Sequence, residues 1–369
     1  MFKSKTVFVV GAGTSHEAGL PIGNTLTADI AKLLNFSHEN YGTVVKGDKQ
    51  ILNQLTRLVK DQPDQWRDNR LIGSGQQVAA AMGLAPSIDT FLQTHSMNAE
   101  YVLLGKLGIA KAIIVVESES KLASIKSRSQ PFDMASVNGT WYISLAQQLF
   151  SEVPADRPDM AFENVSFIVF NYDRCLQVFL TRALELFFQI DHSRARAIIA
   201  DVRIVHPYGS LGDMNDADYT MPMFGDTDCD LYAVSQRLKT FSVSEIDADK
   251  SVKINEFMSQ AETLVFLGFA FYDQNMTLLG KDLNKGAVQQ KFDSIKRVYA
   301  TTFHMSNSDV GVAKTQIGNL LRGRPPAKND DYSIETFSGT CHSLFAEYWK
   351  SLTASLPVQK SLYNINVLS

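Results

Sequence analysis

The chain has 369 residues, 45% hydrophobic and 20% charged, with 35 Lys and Arg against 39 Asp and Glu for a formal net charge of −4. This is globular composition, long enough for one main domain with an insertion, and its charge balance argues against a nucleic-acid or anionic-membrane binder. The 3 cysteines, Cys175, Cys229 and Cys341, stand far apart and argue against a disulfide framework or a zinc module.

The amino terminus leads through Met1-Phe2-Lys3-Ser4-Lys5 straight into an apolar run, without a secretory leader. The longest apolar run, 107–116, is broken by Lys111 and too short to span a bilayer. A cytoplasmic protein is expected.

The first strand is Val7-Phe8-Val9-Val10. A β-branched, continuously apolar run of this kind suits a parallel strand buried on both faces. It stops at Gly11-Ala12-Gly13-Thr14-Ser15 and continues to Gly19-Leu20-Pro21. Asn24 then suits the cap of a helix carrying Leu26, Ile30, Leu33 and Leu34. From Phe36 to Gly47 the composition turns polar and turn-rich, and the long stretch that follows, to about Phe150, shows no convincing strand. Helical periodicity covers 51–59, a segment capped by Ser87 with Ile88, Phe91 and Leu92, then 101–116 and 141–150, with a Ser/Lys-rich connector at 117–131. Residues 37–150 read as a helical subdomain inserted between the two parts, 1–36 and 151–369, of an α/β domain.

Strand signals resume at 165–170, ending at Asn171-Tyr172-Asp173, with a helix at 176–188. A third strand at 202–205 ends at His206-Pro207-Tyr208-Gly209-Ser210, followed by an acidic, irregular segment, 212–230, read as a surface loop or a lid. A helix at 252–260 precedes a fourth strand, 263–267, which ends at Gly268-Phe269-Ala270-Phe271-Tyr272-Asp273. The fifth strand, 297–302, leads to His304-Met305-Ser306-Asn307-Ser308-Asp309; a helix at 310–321, a loop, a sixth strand at 332–337 and a helix at 343–352 close the chain. Short apolar strands alternating with helices predict a Rossmann-like, doubly wound parallel sheet of about six strands. Ligands of such sheets sit at the carboxyl ends of the strands.

The strand ends therefore carry the candidates. Gly11 and Gly13 let backbone approach a ligand, and Ala12, Thr14 and Ser15 with their N–H groups suit a phosphate. The dinucleotide fingerprint is incomplete, because His16 takes its last glycine position. Asn171 can donate and accept at once, so it suits a ribose hydroxyl or a water, with Asp173 orienting it; either residue equally suits a helix cap. His206, as a neutral imidazole, suits a base on a ribose hydroxyl or water. Gly268 permits close approach. Asp273 either caps a helix or meets ligand, and Ser306 and Asn307 either meet adenine and ribose or cap the helix that follows.

Taken together and in order, Gly11-Ala-Gly-Thr-Ser, Gly19-Leu-Pro, Asn171-Tyr-Asp, His206 with Gly209-Ser210, and Gly268 before an Asp resemble the sirtuin-like NAD-binding fold. The set is most similar to its bacterial branch in anti-phage defence, whose helical insertion Ser87-Ile88-Asp89-Thr90-Phe91-Leu92 also resembles. The chain lacks the four-cysteine zinc module and acyl-lysine groove of deacylating members, and carries Ala270 where members often have Ser.

The resemblance implies hydrolysis of NAD⁺, as substrate, to nicotinamide and ADP-ribose without a metal, held latent until triggered. It assigns Gly11, Ala12, Gly13, Thr14, Ser15, Gly19, Leu20 and Pro21, with Tyr172, Gly268, Phe269, Asp273, Ser306 and Asn307, to dinucleotide binding. Asn171, His206 and Asp173 would act on the nicotinamide ribose and the water. Expected partners are further copies of the chain and a separately encoded activator, such as a ring ATPase or an Argonaute-like sensor. ADP-ribosyl transfer or cyclisation, and a non-catalytic NAD- or ADP-ribose-binding scaffold, are the alternatives.

Overall fold

The computed structural model describes residues 1–21, 23–38, 44–123, 132–212, 222–239, 248–280 and 292–355. Six strands form one sheet: β1 (Thr6–Val10), β2 (Val165–Val169), β3 (Ile204–Val205), β4 (Thr263–Leu267), β5 (Arg297–Thr301) and β6 (Ser333–Phe337). All pairs are parallel, in the order β3-β2-β1-β4-β5-β6. This is an α/β, Rossmann-like sheet. Chain order reverses between β1 and β4, and a crevice opens beyond the carboxyl ends at such a switch point.

Every residue of β1, β2 and β4 is buried, which accounts for their uninterrupted apolar character. Side chains alternate between two cores. Val7, Val9, Ile168, Leu264 and Phe266 pack on one face with Ile30, Leu34, Leu104 and Leu107. Phe8, Val10, Phe167, Val169 and Leu267 face the other, with Trp141, Leu145, Phe179 and Phe345. The helices Lys49–Asp61, Asp68–Ala81, Ile88–Thr94 and Ala99–Glu119 thus share a core with the sheet, while Trp141–Phe150 lies on the opposite face.

Several elements differ from the sequence expectation. A short antiparallel pair, Ser37–His38 with Val44–Lys46, lies in the segment expected to be polar and turn-rich. β3 is only two residues long. The first long helix spans Gly23–Leu34, so it starts ahead of the expected cap Asn24. Asp68–Ala81 escaped notice because two glycines and few large apolar residues blur its period. His192–Asp201, capped by Asp191, is rich in arginine and equally aperiodic. Leu231–Gln236 and Asp273–Gly280 are too short to show a period. The expected connector begins inside the helix Ala99–Glu119, and its residues 124–131 lie outside the described residues. So do 213–221 of the acidic loop.

Candidate active site

The tips of β1 and β4 are interlocked. Gly11 N–H donates to Leu267 O at 2.9 Å and Gly13 N–H to Gly268 O at 3.0 Å, while Gly268 N–H donates to Thr301 Oγ1 at 2.8 Å. A Cβ on Gly11 would lie 2.4 Å from Gly268 O. One on Gly268, whose φ is +53°, would lie 2.3 Å from Thr14 N. The missing side chains are therefore needed first for the contact of one loop with the other, and only then for any ligand. From Ala12 to Ala18 the glycine loop winds into a 3₁₀ helix, which Gly19 ends with φ +95°.

Across this loop lies the turn after β2. Thr14 Oγ1 donates to Gly11 O at 2.8 Å. Asn171 Nδ2 donates to Thr14 Oγ1 at 3.2 Å and to Ser15 Oγ at 2.9 Å. Ser15 Oγ donates to Asp173 Oδ2 at 2.8 Å, and Asp173 Oδ1 accepts the N–H of Cys175 at 3.1 Å. Asp173 thus orients Ser15 and also serves the start of the helix Cys175–Phe188. Asn171 is 4% exposed, and its Oδ1 has no hydrogen-bond partner. A buried acceptor left unpaired costs about 1–3 kcal/mol unless something fills its need.

A cavity of about 720 Å³ opens above this network. Of the sequence-predicted residues, Gly11, Ala12, Gly13, Ser15, Leu20, Pro21, Asn171, Tyr172, Asp173, Gly268 and Phe269 line it. Thr14 is fully buried beneath. Gly19, His206, Asp273, Ser306 and Asn307 are not in the lining. Asp273 is exposed, opens the helix Asp273–Gly280 and accepts Gln316 Nε2 at 2.6 Å. Ser306 caps the helix Asn307–Arg322 by accepting Asp309 N–H at 3.1 Å.

His206 stands behind Asn171, away from the cavity. Its Nδ1 is 3.1 Å from Asn171 O, and its Nε2 is 2.6 Å from Gln177 Nε2. A carbonyl only accepts, so Nδ1 is the ring nitrogen placed to donate to Asn171 O. The ribose contact expected of His206 becomes a backbone contact to Asn171. Because β3 is so short, the chain turns at once, with Gly209 N–H donating to His206 O at 3.1 Å. Tyr208 is the residue of this turn that lines the cavity, and its hydroxyl donates to Asn275 Oδ1 at 2.6 Å.

The cavity also holds groups that motif reasoning did not assign to it. Asp89, from the helix Ile88–Thr94, accepts a hydrogen bond from the Tyr172 hydroxyl. Burial pushes its carboxyl above the usual aspartate value, and the Tyr172 bond opposes that rise. Its motif was visible, but its contact partner is 83 positions away in the chain. Glu17 also lines the cavity, and its oxygens accept Trp141 N–H at 2.7 Å and His342 N–H at 3.0 Å. Phe271 and His304 line the rim with φ of 54° and 61°. Left-handed backbone is costly for such side chains and clusters at functional sites.

Next to the cavity, Arg174 and Glu117 form a buried ion pair, Nη2 to Oε2 at 2.6 Å. Arg174 also donates from Nη1 to Pro222 O at 2.6 Å, and its guanidinium lies 5.8 Å from the centre of the Phe224 ring. Among the described residues no group of three or more His, Cys, Asp or Glu is placed to hold a metal, and no helix is long and apolar enough to cross a membrane. Neither a family model nor a curated relative matches the chain.

Proposed function

We propose that the cavity binds NAD⁺ and hydrolyses its nicotinamide–ribose bond, as the sirtuin-like resemblance implies. The observation that carries this reading is the unpaired, buried Oδ1 of Asn171, a residue that lines the cavity at the β1/β4 switch point, beside the glycine loop. A ribose hydroxyl or the attacking water would supply the missing donor. The leaving group is a neutral pyridine released from a cation, so C1′–N cleavage needs positioning and charge stabilisation more than a strong acid. The C1′–N pair departs with nicotinamide, water adds to C1′, and its proton is lost to solvent. Asn171 holds the reacting ribose or water. Thr14, Ser15 and Asp173 fix the amide plane of Asn171. His206 acts as a positioning residue through the Asn171 carbonyl.

Regulation belongs to the same proposal: a latent enzyme of anti-phage defence, assembled from copies of the chain and released by a separately encoded activator. Product analysis separates hydrolysis from transfer or cyclisation. A second reading, dinucleotide binding without turnover, is favoured by the retreat of His206 from the cavity. Nicotinamide release from NAD⁺, followed chromatographically with and without candidate activators, decides between them. Asn171→Ala is expected to lower turnover by about 100-fold or more. Equal turnover by the variant refutes the assignment of Asn171.

A further inference from the structure

Asp89 has an electrostatic peculiarity. It is half-buried in the cavity wall, and among the described residues no lysine or arginine pairs with it. Its side chain is held by the neutral hydroxyl of Tyr172. A carboxylate drawn out of water without a counter-charge is costly, and such groups are usually paired. The surroundings specify what kind of counter-charge would fit. Phe170, Tyr172, Tyr208 and Phe269 form an aromatic wall, with ring centres 5.7 Å apart for Phe170 and Tyr208, 6.5 Å for Tyr172 and Tyr208, and 5.2 Å for Phe170 and Phe269. Aromatic faces attract flat cations, and a nearby carboxylate adds to that attraction where water is thin. The wall and the carboxylate are joined through Tyr172, and both suit a planar, positively charged ligand group.

Resting on the NAD⁺ reading above, we infer that Asp89 and this wall recognise the positively charged nicotinamide ring, so that the cavity selects the oxidised over the reduced dinucleotide. Reduction turns the ring into a neutral, puckered dihydropyridine. It removes the partner of Asp89 and weakens the contact with the aromatic faces while leaving the pyrophosphate and adenosine unchanged. Asp89 is adjacent in space to Tyr172, the neighbour of Asn171, which is where the nicotinamide ribose would sit.

The test uses the full chain and calorimetric titration with carba-NAD⁺, whose cyclopentane ring blocks hydrolysis while keeping the cation, against its dihydro form and ADP-ribose. The wild type is expected to bind carba-NAD⁺ about tenfold or more tighter than the dihydro form. Asp89→Asn is expected to abolish that preference while still binding ADP-ribose. If Asp89→Asn does not fold, Asp89→Glu keeps the charge and is expected to keep the preference. Equal binding of the two redox forms by the wild type, or an undiminished preference in Asp89→Asn, overturns the inference and leaves the dinucleotide reading standing. No binding of carba-NAD⁺, the dihydro form or ADP-ribose refutes that reading itself.

Discussion

Two carboxylates from the helical region meet consecutive parts of the turn after β2. Glu117, from Ala99–Glu119, is fully buried and takes the main-chain N–H and the guanidinium of Arg174. Asp89, from Ile88–Thr94, takes the Tyr172 hydroxyl. Between these two lies Asp173, engaged with Ser15 and Cys175. The same four-residue turn, Asn171-Tyr172-Asp173-Arg174, therefore treats two acidic side chains in opposite ways. One is neutralised by a cation and faces a segment, Pro222 to Phe224, that Arg174 also holds. The other has no cationic partner among the described residues and lines a cavity. Glu117 is part of the scaffold, and Asp89 is open to ligand.

The largest effect is expected from breaking the Glu117 side. Arg174→Met leaves a buried carboxylate without its counter-charge and the Pro222 carbonyl without its donor, and should cost about 3–5 kcal/mol in urea unfolding. Adding Glu117→Gln should restore part of that loss, because the uncompensated charge goes. If the single variant loses under 1 kcal/mol on that order-of-magnitude scale, the scaffold role of this pair is wrong. Next comes Tyr172→Phe, which removes the hydroxyl from Asp89 and should cost about 1–3 kcal/mol. Thermal unfolding measures it; a neutral outcome would mean that the Tyr172 bond contributes nothing.

The smallest effect is the most informative. Burial holds the Asp89 carboxyl above its ordinary value of 3.8, so the folded state binds that proton more tightly than the unfolded chain. Its contribution to stability is complete below the unfolded value and is lost as pH rises through the folded value. The titratable groups facing it, Tyr172 and Tyr208, are themselves pushed up by burial and stay neutral through this range. Asp89→Asn removes the dependence. The stability of wild type relative to the variant should therefore fall as pH is raised from about 4 to about 8, read from urea midpoints at each pH. A flat or rising difference would show that the carboxyl is not desolvated.

Much of this arrangement was legible in the residue pattern. The runs Val7-Phe8-Val9-Val10 and Thr263 to Leu267 declared buried strands because both faces of each had to be apolar. Asn171, Asp173 and Ser15 were legible because polar residues directly after such strands fall at one end of the sheet. The rest depended on geometry that spacing does not encode. His206 and Tyr208 are two positions apart, and only the turn decides which enters the cavity. Asp273 and Ser306 have the composition of ligand contacts, yet on the outer side of the crevice one opens and the other caps a helix. Asp89 depends on how a helix packs over the sheet, a long-range contact without a local signal.

The interlocked tips of β1 and β4 have a historical consequence. A side chain at Gly11 collides with the backbone of Gly268, and one at Gly268 collides with the backbone at Thr14, so no single substitution at either position is absorbed by its neighbour. Gly13, whose Cβ would lie 2.9 Å from Gly268 Cα, is under the same constraint. A lineage descending from this chain can exchange its rim residues one at a time. It can leave this trio only by rebuilding both loops at once, so the three glycines should be a lasting mark of common descent in its remote kin.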